Sequence, residues 1–170
     1  EGGLAPPFPD AETMLADAVA AIRAAGLAPG RDVALALDVA SSHFYSAGRY
    51  KLDADRTLTA EQMIDQIAHW LDTYPITSIE DGLAEEDWSH WPALRAKIAP
   101  RSMVLGDDFL CTNPQRIGRA IKTNACDALL LKVNQIGTLT EAAESLAISR
   151  SAGWSVVISA RSGETEDDWL

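Results

Sequence analysis

Five short apolar runs, separated mostly by amphipathic helical stretches, restrict this chain to a parallel-sheet fold. Residues 33–38, 76–80, 103–107, 128–132 and 154–159 are apolar nearly throughout, as strands covered on both faces are. Helix signals fall between most of them. Asp10 is placed to cap a helix over 11–25 that Gly26 ends, and Thr59-x-x-Gln62 is a capping box opening a helix to about residue 73. A Trp-rich stretch at 85–98 is predicted helical. Asn113-Pro114 supplies an N-cap with proline at the first helical position. Thr138-x-x-Glu141 opens a helix that stops near Gly153, and residues 167–170 begin another. A small hairpin is predicted at 44–52 around Ala47-Gly48. Strands alternating with helices give an α/β chain with a parallel sheet. An open doubly wound sheet and a barrel both satisfy that pattern.

The polar residues separate the two. Each apolar run ends in a functional type of residue: Asp38, Glu80, Asp107, Lys132, and then the Ser159-Ala160-Arg161-Ser162 segment. In a (β/α) barrel all strand C-termini converge on one mouth, so side chains from separate strands can meet one ligand. Three carboxylates from successive strands make a hard oxygen site suited to Mg²⁺. Period-two alternation puts Leu130, Lys132 and Asn134 on one side of their strand. Burial and a neighbouring dication both disfavour an ammonium, which makes a lysine in that setting a general base. Taken singly, an aspartate at a strand end is usually a cap or turn residue, and a lysine after an apolar run usually snorkels to solvent. Their recurrence at the same place in consecutive units favours a shared site.

The bulk properties agree. The 170 residues suit one domain, and a hydrophobic fraction of 47% is enough for a core. A formal net charge of -11 argues against a nucleic-acid or anionic-membrane binder. Cys111 and Cys126 form no CxxC pair, so neither a zinc site nor a disulfide framework is expected, and a reducing, cytoplasmic location is. No apolar run reaches the length of a membrane span and no signal peptide is visible. The chain opens on Glu1-Gly2-Gly3 rather than methionine, so the protein is expected to begin upstream.

At these same residues the chain resembles the enolase family. Glu1-Gly2-Gly3-Leu4-Ala5-Pro6 resembles the family's DEGG-x-AP loop, and Leu37-Asp38-Val39-Ala40-Ser41-Ser42 its LD-x-A-(A/S)-S-E-F segment. Ser78-Ile79-Glu80-Asp81 matches SIED. Gly106-Asp107-Asp108 followed by Thr112-Asn113-Pro114 matches GDD-x-x-x-TNP. Residues 129–138 match LLLKVNQIGT without change, and 161–167 match RSGETED. The similarity runs over residues 1–170 and implies the C-terminal catalytic domain, a (β/α)8 TIM-type barrel of which about five βα units are present. It implies Asp38, Glu80 and Asp107 as Mg²⁺ ligands and Lys132 as the base that takes the proton alpha to the substrate carboxylate. Glu1 would be the general acid that expels the β-hydroxyl. Arg161 and Ser162 would bind phosphate, with Gln135 and Asp108 supporting the site. A homodimer is the implied assembly, and a small phosphorylated or phosphonate carboxylic acid the implied ligand.

The chain departs from the family pattern in four ways. Ala160 stands where the SHRSGETED motif has its histidine, beside the phosphate and the leaving hydroxyl. Gly82 replaces the proline of SIEDP and is expected to loosen the backbone after Glu80. His43 replaces a glutamate and is read as a surface residue. Finally, the N-terminal lid domain, the first barrel strands and the last strand with a second lysine are expected to lie outside the chain. Five strands cannot close an eight-stranded barrel, so this segment alone is expected to be inactive.

Three functions follow. The first is enolase chemistry: Mg²⁺-dependent formation of an enolate from a 2-phosphoglycerate or phosphoenolpyruvate type of acid. The second keeps that chemistry on an altered substrate, as in carboxyphosphonoenolpyruvate synthase of phosphonate and phosphinate biosynthesis. The third is a non-catalytic binding or structural role, against which the intact carboxylates and Lys132 count.

Overall fold

The computed structural model describes residues 6–159. The expected caps form. Asp10 accepts the Thr13 N–H at 2.7 Å and opens α1 (Ala11–Ala24). β1 (Leu35–Asp38) follows, then a 3₁₀ turn (Ser41–Phe44) and three very short strands, β2 (Tyr45–Ser46), β3 (Arg49–Lys51) and β4 (Thr57–Leu58). These three pair antiparallel as a small separate sheet. The Thr59–Gln62 capping box starts α2 (Ala60–Thr73), which leads to β5 (Ile76–Glu80). Next come α3 (Trp91–Ile98), β6 (Met103–Gly106) and α4 (Pro114–Thr123), the last capped by Asn113. β7 (Ala128–Leu131), the single turn α5 (Val133–Ile136), the Thr138-capped α6 (Leu139–Ser151) and β8 (Ser155–Ile158) complete the described chain.

The main sheet is wholly parallel, in the order β1-β5-β6-β7-β8. Each strand lies beside the next member of the sheet along the chain. A doubly wound sheet reverses its strand order at a switch point; none is present here, so the crossovers keep one hand and one side. The packing follows. Leu35, Leu37, Ile79, Val104, Leu129, Leu131 and Val156 share one apolar cluster with helical residues including Met63, Ile67, Leu94, Ile98, Ile117 and Ala142. The alternate residues Leu105, Ala128 and Leu130, with Met103, form a second, smaller cluster. This is one arc of a (β/α) barrel, helices outside and a narrow inner face.

Four sequence expectations need correction. The 85–98 segment is helical only from Trp91, because residues 81–90 fold into a buried irregular loop. There the Trp91 indole N–H donates to the Ala84 carbonyl at 3.0 Å. β1 starts at Leu35 rather than residue 33; Val33 is exposed and joins Pro29 only in an isolated bridge. β4 went unforeseen, since two residues carry no periodicity. β7 ends at Leu131, and Asn134 is an exposed residue of α5, so it does not continue the alternation of Leu130 and Lys132. Among the described residues no helix is long and apolar enough to cross a membrane.

Candidate active site

Parallel strands in unbroken order bring their C-terminal ends to one edge, and that edge is where the charged residues stand. Asp38 closes β1 and Glu80 closes β5, and the two are register partners. Asp107 follows the last residue of β6, and Lys132 the last residue of β7. The Lys132 ammonium forms an ion pair with Asp107 Oδ2, the side chains being only 14% and 10% exposed. Asp107 Oδ1 accepts a hydrogen bond from Gln135 Nε2 at 2.8 Å. Asp107 is therefore held on both oxygens by groups from the β7–α5 segment.

The electrostatics are those of crowded carboxylates. Desolvation pushes the Glu80 carboxyl up to about 7, helped by the negative charges of Asp38, Asp107 and Asp81 and opposed by Lys132. Asp38 is also raised, first by desolvation and then by Asp107, while the Ala40 N–H bond to its Oδ1 at 3.0 Å works against the shift. Like charges at one edge make each carboxylate costlier to ionise, and a bound cation relieves that cost.

Two residues not singled out from the sequence support this edge. Asp81 is buried, and its two oxygens accept the N–H groups of Asp107 at 3.0 Å and Asp108 at 2.8 Å. It staples the end of β5 to the turn that presents Asp107. Burial pushes its carboxyl up to about 7, with the two N–H bonds opposing. Thr112 is fully buried, and its hydroxyl accepts the Lys132 N–H at 2.9 Å and lies 3.0 Å from Gln135 Oε1. Ala40, Asp81, Cys111 and Thr112 all have φ between 43° and 50°. Non-glycine residues in this region are uncommon and cluster at functional sites; here Ala40 and Asp81 sit just beyond strand ends, and Cys111 and Thr112 in the loop between β6 and α4. In the sequence, Asp81 was only part of a motif and Thr112 only the lead-in to the Asn113 cap. Positive φ leaves no mark on residues of these types, so neither role was readable.

Mg²⁺ fits the donor set. Asp38, Glu80 and Asp107 offer hard carboxylate oxygens with excess negative charge. Among the described residues, the acidic group with one oxygen from each within 4.8 Å of the others is Asp81, Asp107 and Asp108, rather than the expected Asp38, Glu80 and Asp107. Both Asp81 oxygens in that group already serve backbone amides, which marks it as scaffold. Glu1, Ala160, Arg161 and Ser162 lie outside the described residues, as does the helix expected at 167–170. His43 is exposed, as expected of a surface residue.

Gly82 is buried and closely packed. Its φ is not positive; it is Asp81 before it that is left-handed. A Cβ at Gly82 would lie 3.0 Å from Ile79 Cγ2, 3.0 Å from Leu94 Cδ2 and 3.2 Å from Ile67 Cδ1. The residue is glycine where the loop closes on the core.

A family model described as the enolase C-terminal TIM barrel domain matches residues 1–170. The chain belongs to the enolase family. In an enolase barrel the strand C-termini form the mouth, and Asp38, Glu80, Asp107 and Lys132 all stand at that end of the sheet. The enolase superfamily is itself the established example of a lysine or histidine base working beside one or two Mg²⁺ ions.

Proposed function

We propose that the intact protein is a Mg²⁺-dependent lyase that forms an enolate from a phosphorylated three-carbon acid of the 2-phosphoglycerate or phosphoenolpyruvate type. The observation that carries this reading is the nearly buried Lys132–Asp107 pair beside Glu80 and Asp38 at the barrel mouth. A proton alpha to a carboxylate is very weakly acidic. Asp38, Glu80 and Asp107 would hold Mg²⁺, which would supply Lewis-acid stabilisation of the charge that develops on the substrate carboxylate. Lys132 Nζ, fixed at the end of β7, receives the proton from the alpha carbon as a neutral amine, having released its ammonium proton to solvent when the cation takes over the Asp107 carboxylate. Gln135 and Asp81 hold Asp107 in place, through its side chain and its N–H respectively. Arg161 and Ser162 take the phosphate, and Glu1 protonates the departing hydroxyl.

A second reading rests on Ala160. Without an imidazole at that position the leaving-group side of the site has one hydrogen-bond donor fewer, which is tolerable if no hydroxyl leaves. That favours a related enolate chemistry on a phosphonate analogue such as the substrates of carboxyphosphonoenolpyruvate synthase.

The test compares the intact protein with its Ala160→His variant, each given 2-phosphoglycerate and Mg²⁺, with phosphoenolpyruvate followed directly. Turnover by the unmodified protein supports the first reading. Turnover by the variant alone shows an enolase scaffold disabled at one position. Failure of both, with Mg²⁺ still bound, moves the assignment to the phosphonate analogues. Failure to bind Mg²⁺ sinks both readings.

A further inference from the structure

We infer that Thr112 is a positioning residue that sets the base and the metal-binding carboxylate together; this rests on the function proposed above. Thr112 sits in a left-handed turn with no solvent exposure, between β6 and α4. Its hydroxyl oxygen accepts the main-chain N–H of Lys132 at 2.9 Å. That leaves its own proton for an acceptor, and Gln135 Oε1 at 3.0 Å is closer than the Leu130 carbonyl at 3.4 Å. The Gln135 amide is thereby oriented. With its oxygen toward Thr112, its Nε2 must face Asp107 Oδ1, where it donates at 2.8 Å. The reversed amide would set an acceptor against a carboxylate. Asp107 Oδ2 in turn holds the Lys132 ammonium. The chain of bonds closes on itself: Lys132 main chain, Thr112 hydroxyl, Gln135 amide, Asp107 carboxylate, Lys132 side chain.

The turn itself is anchored from outside. The buried Ser145 hydroxyl on α6 donates to the Thr112 carbonyl at 2.6 Å. A hydroxyl that both accepts and donates is needed here, which valine of the same shape cannot supply and serine can.

The experiment uses the intact protein and its Thr112→Val and Thr112→Ser variants. Mg²⁺ alone is titrated calorimetrically, and kcat and KM for 2-phosphoglycerate are then measured at saturating Mg²⁺. Partners that orient a metal ligand typically change metal affinity or activity by about 10–100-fold when removed. T112V is expected to fall within that range in Mg²⁺ affinity and in kcat, with KM nearly unchanged, and T112S is expected to restore both. A cooperatively melting T112V with unmodified affinity and kcat overturns the inference. So does a T112S variant as impaired as T112V, since mere packing would then explain the loss. If T112V does not fold, amide exchange at Lys132 in the unmodified protein decides: slow exchange supports the bond to Thr112, and fast exchange overturns it. An unmodified protein that neither binds Mg²⁺ nor turns over instead overturns the proposed function.

Discussion

Lys132 and Asp107 face each other across the ends of the paired strands β7 and β6, ammonium against carboxylate, both nearly out of solvent. On the proposed function the same carboxylate would both balance a lysine and ligate a cation. Replacing Lys132 by methionine separates the two duties. Proton abstraction loses its base, so turnover by the intact protein should fall by about 10²–10⁴-fold. Mg²⁺ affinity, measured by calorimetry, should hold or rise, because a competing positive charge has gone. A parallel collapse of Mg²⁺ binding would show that Lys132 only builds the site.

Glu80 gives the site a pH dependence. Its carboxyl is raised to about 7, above the ordinary 4.5, so the folded state holds a proton that the unfolded state gives up between those values. With a chelator present, stability is therefore expected to decline as pH rises from about 4.5 to about 7. Asp81, raised to about 7 from 3.8, contributes in the same direction. Mg²⁺ must displace the Glu80 proton, so its affinity should climb with pH up to that point and then level. Thermal midpoints and calorimetric titrations between pH 5 and 8 test both trends (~3 units). Glu80→Gln should flatten the affinity curve and only part of the stability curve. A pH-independent Mg²⁺ affinity in the unmodified protein would contradict the argument.

Tyr50 ties the small antiparallel sheet to the buried loop after β5. Its hydroxyl donates to Asp87 Oδ2 at 2.8 Å and accepts the Ala84 N–H at 3.1 Å, with the ring fully buried. Tyr50→Phe leaves that N–H without a partner and removes one of Asp87's, at a cost of about 1–3 kcal/mol. Urea unfolding of the intact protein should show a lower midpoint at constant slope. An unchanged midpoint would mean that water or a shifted loop replaces both bonds.

Gly82→Ala tests the packing between β5 and the helices α2 and α3 that cover it. The new methyl would press on Ile79, Leu94 and Ile67 at the close distances given above. Overpacking of this kind costs about 1–3 kcal/mol. A neutral or stabilising result in chemical denaturation would show that these side chains yield without strain.

The sequence by itself determined the five parallel strands and the starts of four helices. Caps at Asp10, Thr59, Asn113 and Thr138 each satisfy first-turn amides, a local bond between near neighbours that needs no tertiary partner. The apolar runs marked the parallel strands, and their final residues marked Asp38, Glu80, Asp107 and Lys132. The motifs identified the family. Other features depend on residues far apart in the chain, and only the tertiary structure decided them. The loop at 81–90 resisted helix because Asp87 and Ala84 bond to Tyr50, more than 30 residues away. Asp81 and Thr112 took their roles from left-handed backbone and long-range hydrogen bonds. Gly82 took its meaning from the three side chains that close over it. Periodicity and capping act over a few residues; the satisfaction of buried polar groups and the filling of space act across the whole fold.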